Sequence, residues 1–402
     1  MSPAAPLSKL DKATDAFFDQ VISGDSRALS VKLKKHRERL YKPEIKKTLR
    51  RFSSREAAQF IGVTDSYLRL LASNGEITSS EKTATGRHLY TLEQIHAIRT
   101  HLAKAKPSYV PTRRLREHLQ VVAVTNFKGG SGKTTTAAHL IQYFALHGYR
   151  VLAIDLDPQA SLSTLFGYQP EYDIGDNETL YGAIRYDKDR CPIKDVIRKT
   201  YIAGADLIAA NIELQEFEHD TARHAREREG RQFFTRIPRA LADVQDEYDI
   251  VFVDCPPQLG FLTLSALCAS TSFILTIHPQ MLDVASMDQF LAMAGDLMAV
   301  IRKAGGTPRY DWMRYLITRY EPHDGPQAQV VAFLRSLFEE RVMTSMMVKS
   351  TAVSDAGLSK LTLYEAEREK MHRNTYDRAL EAMNAVNEEV EVLVKKAWGR
   401  VS

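Results

Sequence analysis

Residues 121–136 run Val-Val-Ala-Val-Thr-Asn-Phe-Lys-Gly-Gly-Ser-Gly-Lys-Thr-Thr-Thr. An apolar strand here leads into a glycine-rich loop, and an apolar helix over 137–146 follows. Gly129, Gly130 and Gly132 let the backbone turn tightly with its N–H groups facing inward. Those groups and the positive end of the helix bind phosphate oxygens. The segment therefore predicts a phosphate-binding loop (P-loop) between a strand and a helix.

The side chains of this loop suit a nucleotide with magnesium. Lys133 reaches the β- and γ-phosphates, and Thr134 offers its hydroxyl to Mg²⁺. Thr135 lies where a side chain meets the α-phosphate, and the predicted nucleotide-binding set is Lys128–Thr135, Ser131 included. The alternative is a glycine-rich turn without a ligand. The order strand, loop, Lys-Thr and helix disfavours it.

Short apolar runs alternate with helical stretches after Val121. They lie at 121–125, 150–154, 250–253, 272–277 and 313–318. Continuous apolar runs suit strands that are buried on both faces, and alternation with helices predicts a parallel sheet. The expected fold class is α/β, a P-loop NTPase with a mostly parallel central sheet flanked by helices.

Two acidic motifs follow at strand ends. Ile-Asp-Leu-Asp-Pro-Gln occupies 154–159, and Val-Phe-Val-Asp-Cys-Pro-Pro occupies 251–257. Ligands of open α/β sheets bind beyond the carboxyl ends of the strands, so Asp155, Asp157 and Asp254 are expected to face the phosphates. A lone aspartate at a strand end is usually a turn or helix cap. Three of them after a P-loop favour a site, and Asp254 has the position of a Walker B aspartate.

The loop departs from the usual G-x-x-x-x-G-K-[ST] pattern. Phe127 stands where the first glycine belongs, and a second lysine, Lys128, precedes the glycines. This run resembles the deviant Walker A motif of the ParA/MinD family. Together with the two acidic motifs, it is similar to the signature motifs of ParA-type plasmid partition ATPases over about residues 120–365. The overall length and the front of the chain resemble the RepA proteins of repABC plasmids most.

The resemblance implies a slow, partner-stimulated ATPase that uses ATP and Mg²⁺. By it, Lys128 crosses a dimer interface to the other subunit's ATP, Asp157 orients the attacking water, and Asp155 and Asp254 serve the magnesium. The catalytic residues it implies are Asp157, Lys128 and Lys133. The implied partners are DNA, both operator and non-specific, a second copy of the chain, and a centromere-binding protein of the ParB/RepB kind.

A helix-turn-helix pattern precedes the P-loop. Capping boxes at 53–56 and 91–94 start two helices, Thr64 caps another between them, and residues 77–90 are expected to form a wing. The run resembles MerR-like winged helix-turn-helix domains, whose second helix enters the major groove. The alternative is a helical dimerisation or docking module. The candidate DNA-contacting residues are Ser66, Tyr67 and Arg69 in the second helix and Arg87, at the DNA backbone, in the wing.

A second DNA-contacting surface is expected near the C-terminal end. Residues 346–357 resemble the late segment of ParA proteins that carries a basic DNA contact, and Lys349 falls at that position, where family members often have arginine. The bland alternative is a solvated surface lysine. The apolar residues spaced at helical intervals from Tyr376 to Ala397 are expected to pack on their own domain. The polar face of that helix, with Glu388, Glu389 and Glu391, disfavours anionic lipid.

Composition predicts a cytoplasmic protein with a basic front. Residues 1–119 hold 23 Lys and Arg against 12 Asp and Glu, whereas the remainder is mildly acidic. A basic front suggests a polyanionic partner, with a solvated basic helix face as the alternative. The three cysteines form no CxxC pair, which suits a reducing compartment. With no run of about 18 apolar residues, no membrane-spanning helix is expected.

We interpret the chain as four regions: an N-terminal helical segment for possible dimerisation (1–51), a winged helix-turn-helix domain (52–106), a linker (107–119) and a ParA-like ATPase domain (120–402). The hypothesis for function is a cytoplasmic, nucleoid-associated partition ATPase. ATP would switch its dimerisation and non-specific DNA binding, and it would also repress its own operon. The alternative is a sequence-specific repressor for which nucleotide is only a conformational switch. A MinD-like ATPase that cycles on a membrane is disfavoured by the basic front and acidic tail.

Overall fold

The computed structural model describes residues 18–40, 47–78, 81–82, 86, 88–306 and 309–400. The chain divides into two compact units, Met1–Lys47 and Thr48–Ser402. The described part of the first unit is helix α1 (Phe18–Leu40) together with Lys47. The helix exposes Val21, Ile22, Leu29 and Val31. Of the N-terminal helical segment predicted over 1–51, residues 1–17 and 41–46 lie outside the described residues.

The N-terminal part of the second unit, residues 48–106 and called the front from here on, combines three helices with a small antiparallel sheet. Its elements in chain order are β1 (Phe52–Ser53), α2 (Ser54–Ile61), α3 (Asp65–Ser73), β2 (Glu81–Lys82), β3 (His88–Tyr90) and α4 (Leu92–Ala103). The strands lie in the order β1-β3-β2. Gly62 joins α2 to α3 with a φ of +82°, a conformation that glycine adopts without strain. Both predicted capping boxes are present, at Ser53–Glu56 and Thr91–Gln94.

A mostly parallel sheet forms the centre of the second unit. Its strands are β4 (Gln120–Thr125), β5 (Val151–Asp155), β6 (Ile197–Lys199), β7 (Ala205–Ile208), β8 (Ile250–Asp254), β9 (Ser272–Ile277) and β10 (Trp312–Ile317). In the described part of the chain, they lie in the order β10-β9-β4-β8-β5-β7-β6, and only β6 runs antiparallel to its neighbour. The predicted α/β fold class is confirmed. Strands β6 and β7 were not predicted, since neither carries a long apolar run.

Helices cover both faces of this sheet. They are α5 (Lys133–Leu146), α6 (Ser161–Leu165), α7 (Pro170–Asp173), α8 (Leu180–Ile184), α9 (Ile193–Val196), α10 (Glu216–Arg223), α11 (Arg228–Arg231), α12 (Arg236–Ala242), α13 (Phe261–Ala269), α14 (Met281–Lys303), α15 (Gly325–Phe338), α16 (Thr351–Leu358) and α17 (Arg373–Ala397). Successive strand residues point to opposite faces. Val122 and Val124 therefore pack in the core with α5 and α17, whereas Val121 and Ala123 pack with α8, α12 and α13.

The front packs directly on the end of helix α5. Tyr90 and Ile95 belong to the same apolar core as the buried side chains of α5. His96 Nε2 lies 2.8 Å from the carbonyl oxygen of Ala145, and Phe60 meets His147 edge to face at 5.7 Å. The helix that begins at the P-loop thus ends against the front.

Residues 107–119, expected as a linker, are fixed to the body of the unit. Arg400 donates hydrogen bonds to the carbonyl oxygens of Pro111 (2.9 Å) and Thr112 (2.8 Å) and to the carboxylate of Glu117 (2.6 Å). Asp249 Oδ1 accepts the backbone N–H of Arg113 at 2.8 Å. The C-terminal end of the chain therefore holds the connection in place.

Helix α17 packs on its own unit, as its apolar spacing predicts, with Tyr376, Val386 and Val390 buried. The placement of Glu391 on the polar face is wrong. Its carboxylate accepts hydrogen bonds from the hydroxyls of Tyr143 (3.1 Å) and Tyr149 (2.7 Å). These phenols lie on and just after α5, so tertiary packing turns this glutamate inward.

Helix α14 bears on the expectation that no segment spans a membrane. Among the described residues, it is the one helix long and apolar enough to cross a membrane, with a mean hydropathy of 1.4. Only 17% of that stretch is buried. The helix meets this test by length and composition alone. The mostly buried core helices of soluble proteins pass the same test. In this fold α14 directly follows β9 and carries the buried Asp283 in its first turn.

Candidate nucleotide-binding site

The P-loop joins the middle of the sheet to helix α5, as predicted. Strand β4 ends at Thr125, and α5 begins at Lys133. Gly132 precedes the helix with a φ of +87°, and Gly130 has a φ of +74°. These left-handed conformations suit glycine and let backbone N–H groups line a concave turn at the helix start. This is the arrangement that receives phosphate groups.

Three side chains outside the predicted set of site residues hold the loop in shape. Thr318, after β10, donates its hydroxyl to the carbonyl oxygen of Ser131 at 2.8 Å. Thr276 in β9 donates to the hydroxyl of Ser131 at 3.0 Å. Asn126 accepts the backbone N–H of Lys128 at 2.9 Å and donates to the carbonyl oxygen of Thr276. The neighbouring strands therefore fix the loop from one side.

Lys133 is a buried cation at the centre of the site. Its ammonium donates to the carbonyl oxygen of Lys128 at 3.2 Å, across the loop. Burial lowers its pKa, while the charges of Asp254 and Asp157 act in the opposite direction. The side chain thus lies inside the loop. Phosphate oxygens bound there would accept hydrogen bonds from the ammonium in place of the water that burial removes.

Asp254 has the least satisfied side chain of the site. It is fully buried at the end of β8, in register with Asp155 of β5 and Val124 of β4. Neither carboxylate oxygen has a hydrogen-bond partner within the described residues. Burial and the charge of Asp155 raise its pKa. The charge of Lys133 and the nearby hydroxyl of Thr134, which makes no hydrogen bond of good geometry to the carboxylate, lower it. A buried carboxylate without donors is costly and normally has a functional explanation.

Asp155 is also buried, but its carboxylate is already engaged. One oxygen accepts the backbone N–H and the hydroxyl of Ser163, both at 2.8 Å, and the other accepts the N–H of Asp157 at 3.1 Å. Burial raises the pKa of Asp155, and these hydrogen bonds partly offset that effect. The two aspartates have the same position at a strand end in the sequence, but of the two only Asp254 is without hydrogen-bond donors in the structure.

Asp157 lies in a tight turn after β5 and is partly exposed. Its Oδ1 accepts the backbone N–H of Gln159 at 2.9 Å, and its carbonyl oxygen accepts that of Ala160 at 2.7 Å. Ala160 has a φ of +53°, an uncommon conformation for alanine. This turn holds a half-exposed carboxylate at the same sheet edge as Asp254.

Lys128 forms an ion pair with Asp283 of α14, a partner 155 residues along the chain. The Asp283 side chain is only 7% exposed, and its other oxygen lies 3.2 Å from His278 Nδ1. A cavity of about 230 Å³ opens beside this pair. Its lining residues are Lys128, Gly129, Gly130, Ser131, His278, Gln280, Asp283 and Arg319.

Arg319 borders the P-loop in an uncommon backbone conformation. Its φ is +54°, and its guanidinium donates to the carbonyl oxygen of Gly130 at 3.2 Å. Non-glycine residues in this region often cluster at functional sites. Thr318 and Arg319, which directly follow β10, both lie against the P-loop.

The residues predicted for nucleotide and metal therefore meet at one sheet edge. Among the described residues, no group of three or more His, Cys, Asp or Glu side chains is arranged to hold a metal ion alone. Mg²⁺ bound to nucleotide keeps phosphate and water ligands and needs only one or two protein oxygens. The unpartnered carboxylate of Asp254, close to Thr134, fits that requirement.

The residues predicted for DNA lie elsewhere. Ser66, Tyr67 and Arg69 are exposed on α3, with Arg69 paired to Asp65. Lys349 is paired to Glu321, Nζ to Oε1 at 2.9 Å. Arg87 lies outside the described residues.

Comparisons with known proteins agree with this geometry. The model of a family described as an AAA domain matches residues 119–304, from the P-loop strand through α14. A putative replication protein A of Rhizobium rhizogenes is 56% identical over 93% of this chain and 94% of its own length. The chromosome partitioning protein ParA of Caulobacter vibrioides is 30% identical over 59% of this chain and 84% of its own length.

The chain belongs to the ParA family of partition ATPases. A solved structure titled "Partition Protein" has the same fold, with a TM-score of 0.64, 18% identity and coverage of 92% of this chain and 98% of that chain. The expectation drawn from the signature motifs is thereby confirmed, including the likeness to replication proteins A. As a ParA-type protein, the chain is a partition ATPase.

Proposed function

We propose that this partition ATPase hydrolyses MgATP, and that ATP switches it into a homodimer that binds DNA and segregates a plasmid. The observation that carries the proposed hydrolysis is the buried, unpartnered carboxylate of Asp254 beside the P-loop. A cation brought by the nucleotide would relieve its isolation. The charges of the site, with Lys133 in the P-loop and Asp254 beside it, therefore suit a nucleotide that carries Mg²⁺.

In the proposed reaction, a water oxygen bonds to the γ-phosphorus while the bond from that phosphorus to the β,γ-bridging oxygen breaks. The electron pair of the broken bond leaves with ADP. Lys133 and the loop N–H groups stabilise charge on the phosphate oxygens, and Asp157 accepts a hydrogen bond from the water and orients it. Bound Mg²⁺ would supply positive charge at the phosphates. Thr134 and Asp254 would hold it, and the neighbouring Asp155 would add negative charge near it.

The front is proposed to bind an operator in the chain's own promoter. The exposed positions Ser66, Tyr67 and Arg69 on α3 support this role, because a second helix after a tight turn commonly enters the major groove. Lys349 is proposed to contact DNA phosphates independently of sequence. The phosphates would have to displace Glu321, which pairs with the Lys349 ammonium. We also propose a centromere-binding partner of the ParB/RepB kind and residence on the nucleoid.

ATP turnover in the presence of DNA tests the function. Phosphate release should rise when random-sequence duplex DNA is added to the wild-type protein with MgATP. No turnover under any condition, with nucleotide-dependent binding to the promoter duplex retained, would instead favour the repressor that uses nucleotide only as a switch.

Lys349→Ala is expected to weaken ATP-dependent binding to a random duplex. Each released counterion adds about 0.9 to the slope of log affinity against log salt, so that slope should fall by about this amount. Lys194→Ala is a matched control, since Lys194 is 56% exposed and paired to Glu247, much as Lys349 is 55% exposed and paired to Glu321. An equal effect of both variants in a salt series would remove the proposed role of Lys349.

Lys128→Ala should abolish nucleotide-dependent dimerisation while monomer binding of MgATP persists. In the proposed dimer, Lys128 leaves Asp283 and reaches the partner's phosphates, where alanine offers no charge. Sedimentation with a slowly hydrolysed ATP analogue measures the dimer, with Lys370→Ala, a remote paired lysine, as the control. A normal nucleotide-dependent dimer of Lys128→Ala would contradict the trans role.

A further inference from the structure

Helix α3 presents a side that sequence periodicity did not define. Leu68 and Leu71 are buried, whereas Leu70 is 53% exposed. Ser66, Leu70 and Ser73 follow one another at intervals of four and three residues, so they form one line along the helix. All three are exposed. Leu70 is therefore the largest side chain on the central line of the free face.

The neighbours of Leu70 make it the most prominent apolar group of that face. The serines before and after it on the line are short. Arg69, to one side, is drawn towards the start of the helix by its ion pair with Asp65. Tyr67 lies on the other side and is also exposed. A surface that enters a groove along this line would therefore meet Leu70 first.

Charge favours DNA as the occupant of this face. Residues 48–106 contain nine Lys and Arg against five Asp and Glu. Arg55 is exposed near the start of α2, the helix before the turn. Arg99 among these cations is buried, but the segment as a whole stays net positive, which suits a DNA backbone as partner. The apolar side chain at the centre of the helix face then needs an apolar feature in the groove of that DNA.

We propose that Leu70 is a specificity-determining residue that packs against the C5-methyl group of a thymine in the operator. Every base pair shows hydrogen-bonding groups in the major groove, but thymine alone adds a methyl group there. A leucine carries no donor or acceptor, so it selects thymine through this apolar contact. The inference rests on the proposed operator binding by α3.

Thymine-to-deoxyuridine exchange in DNA tests the contact, because it removes only that methyl group. The full-length wild-type protein first selects its preferred site from a pool of random-sequence duplexes. Each thymine of the selected duplex is then replaced singly by deoxyuridine. When the contacted thymine, or its symmetry mate, is exchanged, the wild type should bind about fourfold more weakly than to the unmodified duplex. This is the effect of removing about one buried methyl or methylene group. Leu70→Ala should bind both duplexes equally.

Two further variants serve as controls. Leu70→Met keeps an apolar side chain of similar volume and should retain discrimination against deoxyuridine. Leu115→Ala removes a leucine that is 95% exposed outside α3 and should behave as the wild type. Because Leu70 is exposed in a helix, alanine should leave the thermal midpoint unchanged.

The outcomes separate the inference from the function on which it rests. Equal deoxyuridine effects in the wild type and Leu70→Ala, at every thymine, would overturn the contact while operator binding stands. A wild-type protein that selects no sequence from the pool would overturn operator binding itself, and the contact with it. Loss of affinity in Leu70→Ala that is the same on every duplex would assign Leu70 to a non-specific role.

Discussion

Lys133→Ala is expected to weaken MgATP binding at least about 30-fold, since removing one partner of a buried charge contact costs about 2 kcal/mol or more. The ammonium lies inside the loop and reaches the carbonyl oxygen of Lys128 on its far side. Backbone N–H groups supply only partial charges and cannot replace it. Titration calorimetry with MgATP measures the change.

The fold should survive this substitution. Burial already penalises the charged form of Lys133 when no phosphate is present, as its lowered pKa indicates. Alanine at the first position of α5 has a high helix propensity and removes that penalty. The thermal midpoint without nucleotide should therefore not fall. A folded variant that binds MgATP as tightly as the wild type would show that the loop is not the phosphate site.

Asp157→Ala is expected to lower ATP turnover by about 10²- to 10⁴-fold, a typical contribution of a positioned carboxylate. The affinity for MgATP should stay nearly constant, because orienting a nucleophile acts on the barrier rather than on ground-state binding. Single-turnover phosphate release and calorimetry on the same preparation separate the two quantities.

Asp157→Asn is the matched variant, because the side-chain oxygen that accepts the N–H of Gln159 is retained while the negative charge is lost. If the charge orients water, both variants lose turnover. If only the turn matters, asparagine keeps the wild-type rate and alanine does not. Wild-type turnover in both would exclude Asp157 from the reaction.

Local sequence determined the elements whose interactions span a few residues. The glycines before Lys133, the capping boxes at residues 53 and 91 and the apolar runs of the parallel strands each define a strand, loop or helix by themselves. The rule that strand ends meet at one edge of a parallel sheet then brings Asp155, Asp157 and Asp254 together. These features, with the signature lysine, were sufficient to indicate the family.

Tertiary structure decided which of these groups is free and which is engaged. Ser163 satisfies Asp155 because α6 packs behind it, whereas Asp254 receives no donor in the described chain. Lys128 meets Asp283 only because β9 lies beside the P-loop strand. Strand order sets such long-range pairs, and periodicity within a segment carries no information about it.

The two sides of α3 show the same division. Its sequence places Tyr67, Leu68, Leu70 and Leu71 around much of the helix, so the spacing alone does not say which leucines are buried. The cap at Thr64 predicts that a helix begins there. Packing against α2 and α4 buries Leu68 and Leu71 and leaves Leu70 exposed, because only the assembled front defines which side of α3 has a neighbour.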